Sequence, residues 1–374
     1  MADKSARRVG PVTLVRKRIR EASCILTLWF TLTATALAAA PAVQTLPNLS
    51  GGGGWLNSAP LSREQLLGKV VLVDFWEYTC INCLKTLPYL REWYSRYKDH
   101  GFVIVGIHTP EFPFSADASN VAAATKRLGV DWPVLLDPNR TLWTRFDNNV
   151  WPHEFLFDQS GNLIENAEGE GNYQETEHAI QAAIKAVDPQ FRPPPVMALL
   201  PQDNYTKPGS VCYPHTAEVY AGLTRGGGPV NLSRFMNPTV DNNFTDPGSH
   251  QDGAIYLRGY WRTTDQAVVS SGTDASAALK YHAIQVVAVM RPEDGGSTRV
   301  TLTQDGAPIA RQDAGADVRY AADGTSYVDV DGSRAYDLIM NKHFGTHELA
   351  LAPSRQGLGL YTFDFESCEV GSDK

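Results

Sequence analysis

At 374 residues the chain exceeds the usual size of one domain, so two domains are the natural expectation. It is 43% hydrophobic and 20% charged, with 31 Gly and 23 Pro, which excludes a disordered, collagenous or multi-span membrane protein. The net charge of -8 is unevenly spread: residues 1–38 hold seven Lys/Arg against Asp3 and Glu21, leaving 26 basic and 39 acidic residues beyond them. That acidic body of -13 gives no electrostatic footprint for nucleic acid.

Seven basic residues precede an uncharged apolar run, Cys24–Ala38, and a string of small residues. This is the order of a secretory signal, with Ala36-Leu37-Ala38 as the A-x-A cleavage site. A retained anchor is the alternative, although 15 residues fall short of the ~20 a membrane span needs. Export makes disulfides permissible. With Cys24 discarded in the signal, Cys80, Cys83, Cys212 and Cys368 remain, as one close pair and one distant pair.

Residues 39–60 are rich in Gly, Pro, Ser and Asn and read as a linker. Over 61–188, strand and helix patterns alternate. Val70-Val71-Leu72-Val73 suits a strand buried on both faces, and a helix runs from the cysteines to about Lys98, with Leu84, Leu87, Leu90, Trp93, Tyr94 and Tyr97 at helical spacings. Phe102–Ile107 is a second buried strand, 119–128 a helix and 132–136 a short strand. Phe155-Leu156-Phe157 and Leu163-Ile164 form a pair of strands, and 174–186 a last helix. Alternation of this kind implies an α/β layer with a partly parallel sheet. Prolines at 189–201 mark a second linker. From 202 to 374, short strands at Ala254–Trp261, Tyr281–Met290, Arg299–Gln304, Ser326–Val330, Glu348–Leu351 and Leu360–Phe365 predict an all-β, jelly-roll-like sandwich.

The chemistry points to Cys80-Ile81-Asn82-Cys83, which follows a strand and opens a helix. At a helix N-terminus the unpaired N–H groups and the dipole favour an anion, so Cys80 is expected to have a lowered pKa and to act as nucleophile. Cys83, one turn inside, would resolve the mixed disulfide. A zinc site would need two further ligands, and no second C-x2-C or H-x3-5-H lies nearby.

Val73-Asp74-Phe75-Trp76-Glu77-Tyr78-Thr79-Cys80-Ile81-Asn82-Cys83 resembles the active-site segment of the thioredoxin superfamily, and is more closely similar to the exported TlpA-like branch and the periplasmic portion of DipZ-type proteins. Gly106–Phe112, Trp151-Pro152 and Gly169–Tyr173 extend the resemblance over roughly 60–188. It implies a thioredoxin-like redox domain using the Cys80/Cys83 redox-active disulfide, with no cofactor and no metal. Asp74 matches the buried carboxylate beneath the dithiol, which would have a raised pKa and take the proton of Cys83. Pro152 matches the proline whose cis bond to Trp151 would hold an extended substrate chain, and Trp76 matches the aromatic that shields the site. Glu77 and Glu170 are read chiefly as solvated surface and His108 as a satisfied core histidine.

In an exported β domain, Cys212 and Cys368 read as one structural disulfide tying terminal strands together, worth on the order of 4–5 kcal/mol in the chain-entropy model. The domain resembles the carbohydrate-binding-module-like C-terminal part of DipZ-type proteins at Thr216–Gly222, Gly259-Tyr260-Trp261 and Leu360–Phe365. The function so implied is an exported thiol–disulfide oxidoreductase in the periplasm or other extracytoplasmic space. It would reduce disulfides of envelope proteins and be recharged by a membrane thiol donor of the DsbD/CcdA kind. A peroxiredoxin-like thiol peroxidase, or an envelope protein that binds glycan through its β domain, are the alternatives.

Overall fold

The computed structural model describes residues 43–371; the secretory segment expected at 1–38 lies outside them. The first part of the chain builds a six-stranded sheet from β1 (Gly54–Leu56), β2 (Val70–Trp76), β3 (Phe102–His108), β4 (Val134–Leu136), β5 (His153–Phe157) and β6 (Leu163–Glu168). Their spatial order is β1-β4-β3-β2-β5-β6. β2, β3 and β4 run parallel, whereas β5 is antiparallel to β2 and β6 to β5. The helices are α1 (Arg63–Leu66), α2 (Ile81–Tyr97), α3 (Ala118–Leu128), α4 (Thr141–Arg145) and α5 (Tyr173–Val187).

Every residue of β2 is buried, as its continuous apolar run requires. Strand parity then sorts its side chains: Val71, Val73 and Phe75 enter one apolar cluster, Val70, Leu72 and Trp76 the other. Asp74 shares the parity of the second set, the face covered by α2 through Cys83, Leu87, Leu90, Trp93 and Tyr97. Pro88 sits inside α2 and the helix continues past it.

The two expected linkers are packed over their described residues, 43–60 and 189–201. Val43, Leu46 and Leu49, set among polar residues, cover the back of the sheet, and β1 pairs with β4 from Gly54 opposite Leu136. Over 189–201, Phe191 is buried against Tyr97, and the Pro194 and Pro195 carbonyls accept hydrogen bonds from Gln181 and Arg96, each at 2.9 Å. This proline-rich segment therefore straps across α2 and α5.

The second part contributes β7 (Val211–Cys212), β8 (Val219–Tyr220), a short helix α6 (Leu223–Gly226), β9 (Asp241–Phe244), β10 (Ile255–Thr263), β11 (Val268–Ser270) and β12 (Ser276–Pro292). There follow β13 (Thr298–Gln304), β14 (Ala307–Pro308), β15 (Arg319–Tyr320), β16 (Ser326–Val330), β17 (Arg334–Pro353), β18 (Leu358–Glu366) and β19 (Cys368–Glu369). Eleven of these strands form one hydrogen-bonded antiparallel sheet, so the second part is all-β as expected. It curls because β12 pairs with β17 along one edge and with β10 and then β18 along the other, while β11 joins β10 to β18. The enclosed core contains Leu257, Trp261, Val286, Leu338, Leu351 and Phe363. Trp261 is fully buried and donates its indole N–H to the Arg258 carbonyl, whereas Tyr260 is 46% exposed, so the two do not share a stacking platform. β7 and β19 form a separate ribbon in which Cys212 and Cys368 are opposite residues joined by a disulfide.

The α/β part and the β region share apolar mass. Tyr361, Ala267 and Val289 belong to the same buried cluster as Cys83 and Leu87. Tyr361 meets the rings of Phe112 and Phe114 edge-on at 5.4 and 4.8 Å.

Candidate active site

Cys80 is the N-cap of α2. Its backbone is extended, and its Sγ accepts a hydrogen bond from the Cys83 N–H at 3.3 Å, satisfying one donor of the first turn. Both thiols are free; Cys80 is half-buried and Cys83 has no exposed surface. The helix start thus does what its position demands, but it does not win. Hydrogen bonds from Cys83 draw the Cys80 thiol pKa down, while burial and the carboxylates of Asp364 and Glu111 push it up, and the balance is upward. The lowered pKa expected from the helix terminus alone is therefore corrected: burial, with the Asp364 and Glu111 charges adding to it, is invisible in the local sequence and outweighs the hydrogen bonds of the helix start. Burial pushes Cys83 far higher, with its hydrogen bond to Cys80 and the charges of Cys80 and Asp74 adding to it.

Asp74 is fully buried, and neither carboxyl oxygen meets a hydrogen-bond partner among the described residues. Burial alone pushes its pKa up to about 7. Directly across the β2–β5 ladder stands Glu154, also buried, whose carboxyl is pushed well above the ordinary range by burial and by the charges of Asp74 and Glu165. The sequence reading missed Glu154, although its place in the apolar run His153-Glu154-Phe155-Leu156-Phe157 was a signal.

Glu77 differs from expectation, and His108 is buried in the core as read but with its Nε2 left without a hydrogen-bond partner among the described residues. Glu77 has no exposed surface; it accepts from the Thr79 N–H at 2.6 Å and from the Thr79 hydroxyl, and its other oxygen lies 3.7 Å from His108 Nε2. Burial pushes Glu77 up to about 7 against the Thr79 bonds, with the Glu111 charge adding to it. Burial pushes His108 down to about 3, so its ring is neutral, held between Tyr78 and Trp76. Trp76 is 1% exposed and packs inward, which takes it out of reach of a substrate chain.

Trp151 is half-buried, its ring 4.4 Å from that of Trp143 and capped by the Arg140 guanidinium at 5.0 Å. The Trp151–Pro152 bond is cis, and the Pro152 carbonyl accepts from Gly169 N–H at 2.9 Å. Thr86 donates to the Cys83 carbonyl at 2.8 Å. Lys85, on the next turn of α2, pairs with Glu366 at 2.8 Å and Glu170 at 3.3 Å, so Glu170 is tied to α2 and is not free surface. Beside the dithiol, between Ile81, Leu84 and Pro88 of α2 and Ile284, Val287 and Met340 of the β sheet, lies a cavity of about 580 Å3. No group of three His, Cys, Asp or Glu able to hold a metal occurs among the described residues.

A half-buried thiol at a helix N-cap, a buried partner thiol one turn on and a carboxyl beneath them, on an α/β layer of this topology, define a thioredoxin-like redox protein. The family described as Redoxin matches residues 41–184, and the family described as Thioredoxin like C-terminal domain matches 216–365. The chain is 35% identical over 275 residues to Protein DipZ of Mycobacterium bovis, covering 71% of this chain and 37% of DipZ. It is 30% identical over 121 residues to Thiol-disulfide oxidoreductase YkuV of Bacillus subtilis, covering 32% of this chain and 80% of YkuV. Identity is 26% over 136 residues with Thiol-disulfide oxidoreductase ResA of Bacillus thuringiensis, covering 36% of this chain and 72% of ResA. The chain thus spans little more than a third of the length of DipZ. It belongs to the thioredoxin-like thiol–disulfide oxidoreductases.

Proposed function

We propose that the protein is an exported oxidoreductase that reduces disulfides of cell-envelope proteins through Cys80 and Cys83. Cys80 attacks a substrate disulfide, forming a mixed disulfide and releasing one substrate sulfur. Cys83 then attacks Cys80, freeing the second substrate sulfur as a thiol and leaving Cys80 and Cys83 joined. Asp74, whose pKa near 7 lets it exchange a proton at neutral pH, takes the proton of Cys83, and the Trp151–Pro152 edge holds the substrate chain. A membrane thiol donor of the DsbD/CcdA kind restores the dithiol, and no cofactor enters. The observation that carries this reading is the asymmetry of the pair, one thiol half-exposed at the helix cap and the other buried behind it. The upward push on Cys80 leaves its thiolate less stabilised, which supports a pair that gives up electrons rather than one that holds them.

Trapping tests it. In the full chain expressed with its secretory segment, Cys83→Ser is expected to accumulate envelope proteins as reducible mixed disulfides on Cys80, and Cys80→Ser/Cys83→Ser to hold none. Equal recovery from both variants would sink the proposal. Peroxide turnover that survives Cys83→Ser would favour a peroxidase, and retention on glycan resin independent of both cysteines a binding role for the β region.

A further inference from the structure

β18 faces two ways. Leu358 and Leu360, then Phe363 and Phe365, enter the core of the β region. Its pairing with β12 steps from Thr362 opposite Val289 to Leu360 opposite Met290, so Tyr361 is an extra residue, and it lies in the cluster that holds Cys83. Asp364 and Glu366 alternate with the two inward phenylalanines and take the other face. Glu366 reaches Lys85, five residues along the chain from Cys80, at 2.8 Å. Thr362 and Phe363 pair with Tyr220 and Val219 of β8, and one further step in that register sets Asp364 opposite Glu218, whose carboxylate also accepts from the Thr362 hydroxyl at 3.3 Å. Tyr220 and Arg225 in turn both bind Glu111 Oε1, each at 2.8 Å, closing the same face from the α/β side.

We propose that Asp364, with Glu218 beside it, is a positioning residue of the redox reaction: the strand that docks on α2 brings negative charge to the face around Cys80, disfavours its thiolate, and so poises the pair to give up electrons. This rests on Cys80 being the attacking sulfur. The physical logic is that a stabilised thiolate favours the reduced pair and makes an oxidant, whereas withholding that stabilisation does the reverse. Burial and the Glu111 charge hold Glu218 above the ordinary carboxyl range, and burial with the Glu218, Glu111 and Glu366 charges holds Asp364 well above it, so the cluster ionises in steps and its charge grows as pH rises. Around Cys80 the further titratable groups are Cys83 and Asp74 behind it, Glu77, whose backbone carbonyl accepts the Cys80 N–H at 3.3 Å, and Glu111; the Lys85 and Arg225 cations are held in ion pairs with Glu366 and Glu170, and with Glu111.

The test uses the full chain with Asp364→Asn, Asp364→Glu and Asp364→Asn/Glu218→Gln. Iodoacetamide alkylation of Cys80 is followed across pH, and the thiol–disulfide equilibrium is measured in glutathione buffers. The double variant is expected to alkylate at least about threefold faster at pH 7, the effect of about half a pKa unit, and to be reduced at a more oxidising glutathione poise. Asp364→Glu should behave as the unaltered protein. An unchanged alkylation profile in the double variant overturns the proposal, and if that variant fails to fold, Asp364→Asn decides on the same readout. Failure of the unaltered Cys80/Cys83 pair to form a disulfide in these buffers would instead remove the underlying redox reading.

Discussion

Asp74 keeps a proton that an unfolded chain would have lost, and the cost appears as a dependence of stability on pH. Its pKa of about 7 stands against an ordinary 3.8, so between about pH 4 and pH 7 the folded state binds the extra proton and stability falls as pH rises. Glu77, pushed to about 7 by burial, acts in the same window. Asp74→Asn is therefore expected to shrink the loss of unfolding free energy between pH 5 and pH 7.5 by about 1–3 kcal/mol, measured by denaturant titration at both pH values. An unchanged difference would mean that the carboxyl is ionised in the core. Asp74, Cys80 and Cys83 were legible in the sequence because strand parity and helix capping are local rules. Glu154, Glu218 and Asp364 were not, because their effect depends on which strand lies across a ladder or which region docks on α2.

At the scale of elements, β3 approaches β2 and the loop before β4 with no room for a side chain at Gly106. A Cβ there would sit 2.9 Å from Trp76 Nε1 and 3.2 Å from Trp132 Nε1. Gly106→Ala is expected to cost about 1–3 kcal/mol in chemical denaturation by overpacking these indoles; a neutral result would mean that both rings shift freely. The main strands of this layer were readable because their apolar runs are buried on both faces. β17 was not: only Glu348–Leu351 stood out of its 20 residues, since Asp337, Asn341, Lys342 and His343 break the alternation. What makes it a strand is the equally long β12 beside it, paired from Met290 opposite Arg334 to Ala277 opposite Leu351. Likewise 39–60 and 189–201 look like linkers by composition, yet a few apolar residues and carbonyls are enough to fix 43–60 and 189–201 to the body.

For the whole molecule, the Cys212–Cys368 bond joins residues 156 apart and closes most of the β region into one loop. Cys212→Ser/Cys368→Ser is expected to lose about 2–5 kcal/mol of stability, read from the denaturation midpoint, while the Cys80/Cys83 pair still forms its disulfide in glutathione buffer. Loss of that disulfide alongside stability would show the two pairs to be linked. Cys368 lies two residues beyond Glu366, the residue that ties β18 to Lys85, and borders the cavity beside Ile81. A catalyst of disulfide exchange that carries a disulfide of its own at this distance faces a condition of self-sparing. The bond that ties β7 to β19 must be a poorer target than the disulfides of other proteins, or exchange would begin by dismantling the tool.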